Sequence, residues 1–129
     1  KRFESEGGFL PDDAQVVVIT DKNTYCAGEL LAASLKENLK VKLVGETTFG
    51  KWNVQTVEPL PNGFAIKYTV MSFSSPEGKN YSGVGIKPDF EVSQNKDFEL
   101  VELQRKFSMN KRLEVDRQLK AAYELTKAL

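Results

Sequence analysis

The chain has 129 residues, 40% hydrophobic and 28% charged, with 18 basic residues balanced by 18 acidic ones, the profile of one ordinary globular domain with a modest core. Zero net charge argues against nucleic acid or an anionic membrane surface as the main partner, and no apolar run has transmembrane length. The absence of histidine excludes a Ser-His-Asp or Cys-His apparatus within the chain, while a single cysteine forms no internal disulfide and leaves a zinc ion little beyond carboxylates.

The opening "KRFESEGGFLPDD" is too polar for a signal peptide and, rich in Gly and Asp, is read as a loop. "AQVVVIT" (Ala14–Thr20) is a continuous β-branched run, which suits a strand of a parallel sheet buried on both faces. "DKNTY" breaks it with turn formers. From Ala27 to Leu39 the pattern is helical, with Leu31, Leu35 and Leu39 recurring every fourth residue and Leu30 beside them. "VKLVGE" (Val41–Glu46) is the next strand. Strand, helix and strand in this order predict a βαβ unit with a right-handed crossover.

"TTFGKWN" follows as a loop. "VQTVEPL" and "FAIKYTVMSF" read as two strands joined by the tight-turn signal "PNG" at Pro61–Gly63. Ile66, Tyr68 and Val70 alternate with more polar residues and predict one drier face. "SSPEGKNYSG" is a turn, and "GVGIKPDFEV" a return segment that Pro88 keeps out of a central strand position. Beyond Lys96 two helices are expected, over "DFELVELQRKF" and over "RLEVDRQLKAAYELTKAL", with Asn110 marking the break. In the second, Val115, Leu119, Ala122, Tyr123 and Thr126 share a face.

Chemistry is sought where the first strand meets the first helix. "NTYCAGELL" places Cys26 near the first turn of that helix, where backbone N–H groups are unpaired and negative charge is favoured. A thiol there is a candidate nucleophile on a strand-to-helix turn. The N–H of Ala27 would be one oxyanion donor, and the small Ala27 and Gly28 would let a carbonyl approach. A lone cysteine is otherwise a small buried hydrophobe, and both readings stand on position alone. With no histidine, a base must be Lys or a carboxylate. Lys51 lies in the loop after the second strand, and loops after neighbouring parallel strands emerge at one edge of the sheet. Trp52 would help exclude water, and Gln55 would reach back to the amine if the segment bulges. Taken singly, Lys51 reads equally as a surface lysine and Trp52 as a core aromatic.

The ordered series from Val16 to Val92, "TDKNTYCAGELL", "VGETTFGKWNVQ", "LPNGFAIKYT", "SPEG" and "GVGIKPDFEV", resembles the C-terminal processing peptidases, or tail-specific proteases. "DRQLKAAYEL" is similar to the closing helix of that family. The resemblance implies an α/β fold, the spiral core shared with crotonase-like and Clp-type proteins, in part, with a β-hairpin and C-terminal helices. It implies residues 1–95 as part of the catalytic core and 96–129 as a helical segment of the same domain. Cys26 matches the nucleophilic serine, three residues before the motif glutamate Glu29. Lys51 matches the general-base lysine, Gln55 the glutamine that follows it, and Ala27 the oxyanion residue. Glu29 would support the site.

The same resemblance implies endoproteolysis near the C-terminus of a protein substrate, without metal or cofactor, outside the cytoplasm or in the periplasm. Three departures accompany it. Cysteine replaces serine, Trp52 stands where the family often has Gly, and the Gly-rich "N-GG" stretch and PDZ module are not in view. The chain is thus expected to be the C-terminal part of a catalytic domain, inactive in isolation. Its free sheet edges would favour a homo-oligomer. The alternative is an inactive pseudoprotease or peptide-binding scaffold, in which Trp52 narrows or blocks the site.

Overall fold

The computed structural model describes residues 7, 8, 11, 13–95 and 107–129. Three strands form a parallel sheet in the order β1-β2-β5: β1 Val17–Thr20, β2 Lys42–Gly45 and β5 Phe90–Glu91. Val17 pairs with Lys42 and Thr20 with Gly45, then Val44 with Phe90 and Gly45 with Glu91. Helix α1, Ala27–Leu39, is the crossover between β1 and β2, so the βαβ unit is present with parallel strands. Strands β3, Asn53–Pro59, and β4, Ala65–Ser72, form an antiparallel hairpin. Its turn closes through Leu60 N–H to the Phe64 carbonyl at 2.8 Å, with Gly63 at φ 82°. Helices α2, Met109–Val115, and α3, Arg117–Ala128, follow. Among the described residues no helix is long and apolar enough to cross a membrane.

Only β2 is central, and its Val41 to Val44 segment supplies the buried Leu43 and Val44. Neighbouring strand residues face opposite sides. Leu43 joins Ala32, Ala33, Trp52 and Ile86 beneath α1, whereas Val44 borders the face lined by Ala121 and Leu125 of α3. β1 is an edge strand with Ile19 39% exposed, so the expected burial on both faces does not hold for it.

The apolar face of α1 also differs from expectation. Leu31 and Leu39 are 60% and 66% exposed, while Glu29, Ala32 and Ala33 turn inward. The small alanines let the helix lie close to the indole of Trp52, which is fully buried against Phe73 and Tyr81 with ring centroids 5.0 Å away. A leucine at either position would overfill that contact.

β4 has no drier face either: Ile66, Tyr68 and Val70 are 50%, 46% and 47% exposed. The hairpin is held by its ladder and carries a bulge, since Val54 pairs with Met71 and Gln55 with Thr69, leaving Val70 unpaired. The helix expected over "RLEVDRQLKAAYELTKAL" is two helices. Asp116, at φ −94° and ψ 101°, ends α2 and caps α3 by accepting from Leu119 N–H at 2.8 Å. Asn110 lies inside α2 and is not a break. The helix expected over "DFELVELQRKF" falls almost wholly outside the described residues.

Pro88, lacking an N–H, leaves β5 only two residues long. Asp89 compensates. Its backbone N–H donates to the Leu43 carbonyl at 2.9 Å, its Oδ2 accepts from Leu43 N–H at 2.9 Å, and its Oδ1 lies 3.2 Å from Lys36 Nζ. Burial pushes this carboxyl up, but the Leu43 N–H and the Lys36 ammonium outweigh it and hold it below its ordinary value. A depressed carboxyl stabilises the fold above its unfolded value of about 3.9, and that stability is lost as pH falls through the lower folded value. Asp89→Asn is expected to lower the urea midpoint at neutral pH. The difference from wild type should shrink in acid below about pH 4; a constant difference would refute the account.

Candidate active site

Two loops leave the C-terminal ends of β1 and β2 and meet. The first, Asp21–Cys26, is a tight turn: Asp21 Oδ1 accepts from Asn23 N–H and Thr24 Oγ1, both at 3.0 Å, and Thr24 N–H donates to the Asp21 carbonyl at 3.0 Å. A second turn follows, closed by Gly28 N–H to the Tyr25 carbonyl at 3.1 Å. Cys26 is its second residue, with φ 54° and ψ −116°. That is the position in a type II′ turn where glycine is preferred, and a side chain there is strained by about 1–3 kcal/mol. The half-buried Cys26 therefore projects from a strained strand-to-helix turn, immediately before α1.

The second loop, Glu46–Trp52, is stitched to the first. Glu46 N–H donates to the Thr20 carbonyl at 2.8 Å, Thr20 Oγ1 to the Glu46 carbonyl at 2.9 Å, and Phe49 N–H to the Thr24 carbonyl at 2.9 Å. Gly50, at φ 87°, lies against the 83–85 backbone, where an added Cβ would stand 2.8 Å from Gly85 N.

The buried carboxylate of Glu29 joins both loops. Its Oε2 accepts from Cys26 N–H at 3.1 Å and from Lys51 N–H at 2.8 Å. Its Oε1 accepts from Gly50 N–H at 2.7 Å and from Thr48 Oγ1 at 2.5 Å. Thr48 Oγ1 in turn accepts from Ile86 N–H at 2.7 Å, extending the network to the return segment. No basic side chain pairs with Glu29 among the described residues. Four donors and the N-terminal end of α1 balance the charge instead.

Cys26 and Lys51 are thus brought together through their backbones, and both are half-buried. Their side chains are not hydrogen-bonded to each other, and Lys51 Nζ lies 5.9 Å from the centroid of the Tyr25 ring. Ala27 is the first residue of α1, where its N–H has no intrahelical partner. Gln55 is exposed on β3 opposite the bulge and makes no hydrogen bond to Lys51. Trp52 turns into the core, so its ring is committed there rather than to the space between Cys26 and Lys51. Thr48, Gly50 and Tyr25 were not singled out by sequence. The N-cap spacing from Cys26 to Glu29 signals the first half of the network, but nothing local signals that Thr48 and Gly50 complete it.

Comparison with known proteins identifies relatives of this chain. The description "Peptidase family S41" matches residues 3–92. The carboxy-terminal-processing protease of Bartonella bacilliformis is 32% identical over 93 residues, covering 72% of this chain and 21% of that protein. The chloroplastic C-terminal processing peptidase of Tetradesmus obliquus is 31% identical over 90 residues, covering 70% and 19%. Among solved structures, a photosystem II D1 C-terminal processing protease superposes with a TM-score of 0.57 at 33% identity, over 63% of this chain and 21% of that one. The chain spans about a fifth of the length of these curated relatives.

Two substitutions test the geometry. In Glu29→Gln either amide orientation points an NH₂ at two of the present donors, with about 1–3 kcal/mol lost for each donor left unpaired, so a clear drop in urea midpoint is expected. Cys26→Gly should act in the opposite sense: relief of backbone strain exceeds the entropic cost of glycine, and thermal unfolding should show a gain of about 1 kcal/mol.

Proposed function

The chain belongs to peptidase family S41, and from that membership we propose that it carries the nucleophile and base of an endopeptidase acting near the C-termini of proteins. The observation that carries the reading is the single carboxylate oxygen, Glu29 Oε2, shared by the backbone N–H groups of Cys26 and Lys51. It fixes the two residues on adjoining loops at the edge of the sheet where α/β sites form.

In this reading Cys26 Sγ attacks the scissile carbonyl carbon and its proton resides on Lys51 Nζ. The Ala27 N–H stabilises the oxyanion. Collapse of the tetrahedral species expels the amine, which takes the proton from Lys51 and leaves a thioester. Water then attacks the thioester, giving one proton to Lys51, and the carboxylic acid departs as the thiol is restored. Gln55 would orient the Lys51 amine in the substrate complex, since catalytic hydrogen bonds tighten there. Glu29 supports rather than reacts, because its oxygens are already occupied. Trp52, buried in the core next to Lys51 in the chain, would help exclude water.

A second reading, a peptide-binding module without turnover, draws on the missing hydrogen bond between the Cys26 thiol and the Lys51 amine. Kinetics separate the two. In the full-length protein, Lys51→Ala is expected to lower kcat/KM for peptide cleavage by about 10²–10⁴-fold, the usual share of a general base. Cys26→Ala should abolish turnover, with peptide binding retained in both. Unchanged cleavage in either variant overturns the peptidase reading, and wild-type binding without cleavage establishes the second.

A further inference from the structure

We infer that the exposed rings of Tyr25 and Phe49 form a specificity subsite, which takes a large apolar side chain of the substrate within two residues of the scissile bond. The inference rests on the peptidase reading above and deepens it by naming the class of peptide the site accepts.

Two rings from different loops meet at the edge of the candidate site. Tyr25 immediately precedes Cys26, and Phe49 stands two residues before Lys51. Their centroids are 6.4 Å apart with an interplanar angle of 66°, an edge-to-face pair. Both are anchored through the backbone. The Tyr25 carbonyl accepts from Gly28 N–H in the turn that presents Cys26, and Phe49 N–H donates to the Thr24 carbonyl. Yet the pair serves no core, since Tyr25 and Phe49 are 58% and 65% exposed. Trp52, Phe73 and Tyr81 pack together inside, which leaves this as the one aromatic pair outside the core among the described residues. Rings held in place but left in water are a preformed contact surface, with little freedom to lose on binding.

Position and chemistry select the occupant. Lys51 Nζ lies 5.9 Å from the centroid of the Tyr25 ring, and two residues of extended chain span about 7 Å. A base works within hydrogen-bond reach of the reacting atoms, so the rings stand alongside the side chains that flank the bond to be cut. Ala27 and Gly28, small and exposed on the same turn, leave room for a peptide backbone to pass. An aromatic face attracts apolar groups and cations and disfavours carboxylates. The Lys51 side chain already takes the cation's place over Tyr25, so a basic substrate side chain finds it filled. A neutral, large apolar or aromatic side chain is the occupant that remains.

The test digests a degenerate peptide library with the full-length protein and reads the cut positions by mass spectrometry. The wild type is expected to enrich Leu, Met, Phe or Tyr at one position within two residues of the cut, and to deplete Lys, Arg, Asp and Glu there. Tyr25→Ala and Phe49→Ala should each lower that enrichment about ten-fold, the low end of what one apolar contact adds to discrimination. Both rings are exposed, so neither change removes core packing. Phe64→Ala, which trims a ring 71% exposed at the hairpin turn, should leave the enrichment as it is. Cleavage with no apolar preference near the cut, or with one that survives both substitutions, overturns the subsite and leaves the peptidase reading standing. So does an equal loss in Phe64→Ala. A change of oligomeric state on gel filtration, with the cleavage preference intact, would assign the rings to contact between copies and likewise overturn the subsite. No cleavage by the wild type brings down both.

Discussion

A carboxylate with no counter-ion among the described residues, fully buried at the base of α1, is the constraint on which the rest of this structure depends. Removing Glu29 from water is costly unless every lone pair is answered. The answers come from four groups that the chain delivers from two loops: the amides of Cys26, Gly50 and Lys51 and the hydroxyl of Thr48. Each requirement then propagates. Gly50 must lie flat against the 83–85 backbone, Thr48 must turn its hydroxyl inward while accepting from Ile86, and α1 must rotate until residue 29 faces the sheet. The network replaces a salt bridge with backbone dipoles, which are held in place by the fold itself.

The strands of the βαβ unit, the hairpin and the bounds of α1 were legible in the sequence because their signals are local. The turn formers after Thr20, the "PNG" turn and Pro88 each act within a few residues of where they stand. The rotation of α1 was not legible. The leucine repeat points one way, but a helix turns toward whichever contact is hardest to satisfy elsewhere, and a carboxylate with four donors outweighs leucines that can sit half in water. Asp116 illustrates another limit. Its side chain caps α3 only because the preceding backbone leaves the helix, and a continuous apolar stripe across 115–126 conceals that break.

For the candidate site, spacing and family resemblance pointed to Cys26, Ala27, Glu29, Lys51, Trp52 and Gln55, and the structure shows how several are placed without assigning what they do. Glu29, Cys26 and Lys51 converge through their backbones. Trp52, suspected as an obstruction, belongs to the core with Leu43 and Ile86, because its neighbour Lys51 takes the outward side of the same segment. Tyr25 escaped notice since an exposed ring beside a lysine has no sequence signature. The approach of its ring to Lys51 Nζ is a distance between two loops, which only the assembled sheet edge sets.

The shared oxygen Glu29 Oε2 has a dynamic consequence. An amide of the first loop cannot exchange with solvent alone, since releasing Cys26 N–H withdraws one partner from the carboxylate that holds Lys51, Gly50 and Thr48. Nor can the second loop peel away without baring a charge beneath α1. Local opening at this edge is therefore cooperative, a single unit made of two segments distant in sequence. The strained turn at Cys26 is confined by that unit, so the backbone energy stored there is released only when both loops open together.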